Sequence, residues 1–258
     1  MGKNTKIEWT NATWSPWQGC FKVSTGCTRC YAETLSNRFG YHIWGTPETT
    51  ARRIMSDAHW NDPFVWNRQA QQAQQRMRVF PSMCDPFEDH NQIWGERQRF
   101  WSLIEQTPWL DWQLLTKRPE NILDMVPAKW ANWPSHVWIG TSVENQEQAD
   151  KRIPILCIIP AQVRFLSCEP LIAPIDLEHS LDIAEAGLSD GQIDWVICGA
   201  ESGYNARPMD INWVRTIRDQ CVQGKIPFFF KQTFNGSRKV SMPSLDGQTW
   251  EQYPGVAS

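Results

Sequence analysis

The chain has 258 residues, a formal net charge of −3 and 41% hydrophobic residues, enough for one large α/β domain with a sizeable core. The near-balanced charge excludes a global cationic field for non-specific nucleic-acid binding, and no apolar run is long enough to cross a bilayer. MGKNTKIEWT has neither an apolar h-region nor a small-residue cleavage site, so a cytoplasmic protein is expected, and its eight cysteines point to metal or catalysis rather than a disulfide scaffold.

In chain order, TWSPWQGC predicts an early strand interrupted by Pro16, because proline cannot donate to a sheet ladder. GCFKVSTGCTRCYAE follows as a Gly-, Ser- and Thr-containing loop that runs into a helix starting near Tyr31. Residues 41–77, ending in the Gln-rich QAQQAQQR, read as an insertion, either a lid or a helical decoration. Short β-rich runs then recur at 78–84, 112–117, 137–143, 163–169, 195–201 and 227–232, with amphipathic helices predicted at 91–106, 145–153 and 211–223. Strands alternating with helices predict an α/β fold, a partial (β/α) barrel of about six or seven mainly parallel strands. One domain is expected over residues 1–234, with an irregular tail at 235–258.

Several of these strands end in polar residues: SMCDPFED, LLTKRP, IGTSVEN, LSCEP, CGAESG and FFKQ. In a barrel of parallel strands such ends converge on the face that carries the chemistry. Cys84, Cys157, Cys168, Cys198 and Cys221 stand singly, several in apolar stretches where a thiol packs as a small hydrophobe. Cys20, Cys27 and Cys30 are different: they share one loop in the spacing C-x6-C-x2-C. Three thiolates without a nearby fourth suit a 4Fe-4S cluster with one open iron. The spacing also admits a zinc site completed by His42 or Cys84, although a second C-x2-C or H-x3-H pair is missing. A redox dithiol fits less well, since that motif uses two cysteines after a strand.

The stretches IEWTNATWSPWQGCFKVSTGCTRCYAE, RVFPSMCDPFED, LLTKRPE, VWIGTSVENQEQADKRIPIL, RFLSCEPL, VICGAESGYNARPMDINWVRTIRDQC and IPFFFKQ cover most of residues 6–232. Through them the chain resembles a phage- and prophage-borne family of radical S-adenosylmethionine-like proteins with a three-cysteine motif. Its C-x6-C-x2-C spacing departs from the commoner C-x3-C-x2-C, but the enlarged first loop still delivers three thiolates. The resemblance implies a radical SAM-type partial barrel with a 4Fe-4S cluster on Cys20, Cys27 and Cys30 and S-adenosylmethionine across the strand ends. It implies Ser82 and Asp85 for the methionine amino group, Thr141, Ser142, Glu144 and Asn145 for ribose hydroxyls and methionine carboxylate, and Lys117 for that carboxylate or a substrate phosphate. A helix-capping role is the alternative for Glu144. Glu169, Glu201 and Lys231 are left for substrate as acid, base and anion contact, with an ion pair between Lys231 and either glutamate as the rival role.

The reaction implied is radical rearrangement, of isomerase or aminomutase type, of a modified thymidine in phage DNA. A DNA-lesion lyase and a zinc-stabilised binding module are the alternatives. The implied partners are a nucleic acid or nucleotide and an electron donor such as flavodoxin or ferredoxin.

Overall fold

The computed structural model describes residues 2–178, 191–203, 205–235 and 238–255. These fall into two compact units, one of residues 1–116 and 121–138, the other of residues 117–120 and 139–258. No described helix is long and apolar enough to cross a membrane.

In the first unit, β1 (Gly2–Lys3) and β2 (Ala12–Thr13) are antiparallel, while β2, β5 (Met77–Phe80) and β6 (Leu110–Thr116) are parallel neighbours. Beyond β2 the chain stays beside β5 in spite of Pro16: the Trp14 amide donates to Phe80 O and that of Gly19 to Met83 O. β3 (Trp17–Gln18) then pairs antiparallel with β4 (Arg53–Ile54). Helices α1 (Tyr31–Arg38), α2 (Asp57–Trp60), α3 (Asp62–Ala73), α4 (Trp94–Glu105) and α5 (Ile122–Met125) complete the unit.

The tryptophans, which follow no period in sequence, cluster in space. Trp14 touches Trp60, Phe100 and Trp112 and stacks on His59 at 5.1 Å. Large amphipathic rings fill a core at low rotamer cost and dominate its energetics. The Gln-rich run belongs to α3, which buries Trp66 and Ala70. It is therefore a packed helix of the unit.

The second unit holds a parallel run of β7 (Val137–Ser142, whose first two residues lie in the first unit), β8 (Arg164–Cys168), β9 (Trp195–Gly199) and β10 (Phe228–Asn235). α6 (Gln146–Cys157) and α7 (Ile211–Gln223) cover it. α6 continues past the predicted end with Pro154 inside it, anchored by buried Ile153, Leu156 and Cys157. Register decides which residues share a face, since side chains alternate along a strand. Cys168 and Cys198 are register partners, and both are buried.

The tail is more ordered than expected. β11 (Arg238–Ser241) pairs antiparallel with β10, β12 (Ser244–Leu245) and β13 (Gln248–Thr249) form a hairpin, and Glu251 bridges Phe229. Residues 236–237 and 256–258 of that tail lie outside the described residues. The described residues thus form a mixed α/β protein with mainly parallel strands.

Candidate functional site

The cysteine loop of the first unit is built on one constrained glycine. Gly19 has φ +117°, and a Cβ there would lie 2.4 Å from Ile43 O and 2.7 Å from the Arg52 Cδ. Only glycine meets both demands. Cys20 follows directly, bridged to Trp44, with its carbonyl accepting from the Gly45 amide at 3.2 Å. A 3-10 turn over Thr25–Cys27 brings the chain to Cys30, the N-cap residue of α1. The Tyr31 hydroxyl donates to Ser82 O at 2.8 Å, and Gly19 bridges Cys84, so the loop is tied to the end of β5 on both sides.

Residues 41–56 hold this loop through Arg52, which sequence reading missed. Its guanidinium donates to both Glu88 oxygens at 3.1 and 2.5 Å and to the carbonyls of Ile43, Gly45 and Thr50, and both side chains of the pair are fully buried. A fork of five N–H groups can serve that many acceptors where lysine cannot. Isolated in sequence, neither residue carries a motif that would have revealed the pair.

The cysteines divide by environment. Burial pushes Cys157 up to about 11 and Cys221 up to about 12. It also holds Cys168 and Cys198 well above the usual thiol range, and desolvation with the Asp85 charge does the same for Cys84. Cys20, Cys27, Cys30 and Cys84 are half-buried, the other four are buried, and none of the eight is in a disulfide. The Cys20 thiol lies 3.4 Å from Phe21 O and that of Cys27 4.0 Å from Ser24 Oγ. Beside them is an open hollow of about 310 Å³ lined by residues including Cys20, Lys22, Glu33 and Trp44. Among the described residues no three His, Cys, Asp or Glu side chains already stand together as a metal-binding group. His42 is exposed. The three thiols of this loop are of the ligand type that iron–sulfur clusters take.

At the end of β5, Asp85 is buried, and its Oδ1 accepts from the Phe87 amide at 3.0 Å and the Thr116 hydroxyl at 2.7 Å. The carboxylate thereby closes a turn and joins β5 to β6. Ser82 is half-buried, its carbonyl taken by Tyr31.

The second unit gathers the remaining candidates. Lys117 Nζ donates to Ser142 Oγ at 3.1 Å, and Thr141 and Ser142 are buried. Glu144 does not cap α6: it is fully buried against Arg152 at 3.0 Å, which also donates to Ser142 O. Asn145 is the cap, its side chain accepting from the Gln148 amide at 3.0 Å.

Lys231 pairs with Glu169. Glu201 is instead held by Arg207, through its backbone amide at 2.9 Å and its guanidinium. Gln232 is fully buried between Ala200 O and Ser202 Oγ. Arg152, Arg207 and Gln232 were not singled out in sequence; Gln232 alone had a signal, standing at the polar end of FFKQ.

The sequence model of a protein family described as "Protein of unknown function (DUF5131)" matches residues 4–254. No curated protein and no solved structure matches the chain. The chain belongs to the DUF5131 family.

Proposed function

We propose that this DUF5131 chain is a radical S-adenosylmethionine enzyme built on a partial (β/α) barrel, with Cys20, Cys27 and Cys30 as the ligands of a 4Fe-4S cluster. The observation that carries the reading is the division of the cysteines. The three in the motif share one half-buried loop pinned to the end of β5, whereas Cys157, Cys168, Cys198 and Cys221 are buried singly in the core and Cys84, also half-buried, stands beside the loop with its thiol pushed up by desolvation. Thiolates, not thiols, ligate iron. When bound, such a cluster with one open iron supplies one-electron reduction of S-adenosylmethionine to a 5′-deoxyadenosyl radical.

The chain's own residues bind and orient. In the first unit, Ser82 and Asp85 are assigned to the methionine amino group, with the Asp85 carboxylate as acceptor. In the second, Lys117, Thr141 and Ser142 are assigned to carboxylate and ribose hydroxyls. Glu144 and Asn145 act indirectly: Glu144 fixes Arg152, which holds Ser142 O, and Asn145 sets the start of α6. Glu169, Lys231 and Glu201 are assigned to substrate. Glu169 and Lys231 form an ion pair at a strand end.

The substrate assigned is a modified thymidine of phage DNA, rearranged with no change in mass. Electrons come from a flavodoxin- or ferredoxin-type donor. Incubating reduced, reconstituted protein with S-adenosylmethionine and modified phage DNA tests the proposal. Methionine, 5′-deoxyadenosine and a nucleoside isomer of unchanged mass are expected. A fragment of lower mass marks a lyase and refutes the rearrangement, and failure to form 5′-deoxyadenosine refutes the radical reading.

A further inference from the structure

We propose that the ends of β8, β9 and β10 form a recognition pocket for an uncharged N–H2 group, that of a primary amide or an amino-substituted heterocycle, with Glu169 and Gln232 as its two acceptors. The inference does not rest on the cysteine loop, because every residue in it belongs to the second unit.

The orientation of Gln232 is fixed by chemistry. Its amide group is 2.6 Å from Ala200 O and 2.7 Å from Ser202 Oγ. A backbone carbonyl only accepts, so the nitrogen must face Ala200, and both of its hydrogens are spent. That leaves Oε1 of a fully buried side chain as an acceptor with no partner. Glu169 repeats the situation. Its Oε2 takes the Lys231 ammonium, while its buried Oε1 has no hydrogen-bond partner.

These two side chains flank the same bare backbone. The Cβ that Gly199 lacks would be 3.2 Å from Gln232 Cγ and 3.5 Å from Glu169 Cγ and Cδ. A native fold leaves few buried polar atoms unsatisfied, and two on side chains that flank one glycine call for a partner that brings hydrogens.

The partner's chemistry follows from what is present. Two acceptors repel a phosphate, a carboxylate or a carbonyl, each of which brings only further acceptors. A group with two hydrogens on one nitrogen satisfies both. Charge then selects a neutral group over an ammonium, because Lys231 offsets Glu169 and Arg207 offsets Glu201, and an added cation here stands uncompensated.

Isothermal titration of the full chain, with no metal added, tests this with matched pairs in which N–H2 is replaced by oxygen: benzamide and benzoate, cytidine and uridine, adenosine and inosine. In at least one pair the N–H2 member is expected to bind about tenfold or more tightly than its oxo partner. The pair that responds identifies the source of the group. Gly199→Ala, whose methyl would stand against the Gln232 and Glu169 side chains, and Gln232→Met should each erase that preference. Equal binding within every pair overturns the proposal, and it is the result expected if trapped water alone occupies the two oxygens. A preference that survives in folded Gly199→Ala also overturns it. Where a variant fails to fold, the wild-type pairs still decide.

Discussion

Replacing Arg52 by methionine should cost more than any other single change in the first unit outside its aromatic core. The substitution keeps the apolar stem but removes the charge from a fully buried pair. It removes the guanidinium from both oxygens of the buried Glu88 carboxylate and from the carbonyls of Ile43 and Gly45, while Thr50 O keeps the His90 ring nitrogen at 3.1 Å. Breaking a buried pair on one side costs about 3–5 kcal/mol, because the surviving charge is desolvated without compensation. Adding Glu88→Gln should recover only part of this, since the Ile43 and Gly45 carbonyls have still lost the guanidinium. Urea unfolding followed by the fluorescence of the 16 tryptophans gives the free energies, and hydrogen exchange locates the loss in residues 41–56. Cys20 should also react faster with a thiol reagent, because Gly45, which holds its carbonyl, is itself held by Arg52. A loss below about 1 kcal/mol, the range of an exposed pair, refutes the claim that Arg52 organises the loop.

Gly19→Ala should destabilise the protein by more than about 2 kcal/mol in thermal or urea unfolding, since it adds left-handed strain to a backbone clash at 2.4 Å; a change within about 0.5 kcal/mol contradicts the geometry. Asn145→Ala should cost about 1 kcal/mol through loss of the α6 cap, with Asn145→Asp retaining most of it. His59 and His136 are both held below the usual histidine value by burial, His136 with its ring against Ile104 O. Their folded forms take up protons at lower pH than the unfolded chain, so unfolding free energy should fall as pH drops below about 6.5. His136→Asn should flatten that slope in urea titrations at several pH values; an unchanged slope refutes the assignment.

The alternation of β-rich runs with amphipathic stretches located the parallel strands within a few residues, and it matched α7 at both ends. Those signals are local, and burial on one face enforces them. What escaped was long-range. Arg52 and Glu88 are 36 positions apart, and nothing at either position announces a buried pair. The Trp14 cluster likewise joins residues that share no period. The hairpin of β12 and β13 was read as irregular tail although Asp246-Gly247, both with positive φ, is a turn signal, because its two-residue strands fall below the length that alternation can mark.

The candidate site divides in the same way. Strand-end positions brought out Glu169, Glu201 and Lys231, because polar groups at the ends of apolar runs stand out. Their partners did not follow: Glu201 takes Arg207, six residues on, from within a loop. Glu144 looked like a cap because it precedes α6, yet Asn145 stands at the position with extended backbone that a capping side chain needs.

Iron and sulfide analysis of the chain, reconstituted anaerobically, is the most direct test of the account. It predicts about four iron and four sulfide per chain, lost when Cys20, Cys27 or Cys30 is replaced by serine and kept in Cys84→Ser. Stoichiometric zinc in place of iron, or iron and sulfide that persist when all three are replaced, contradicts it.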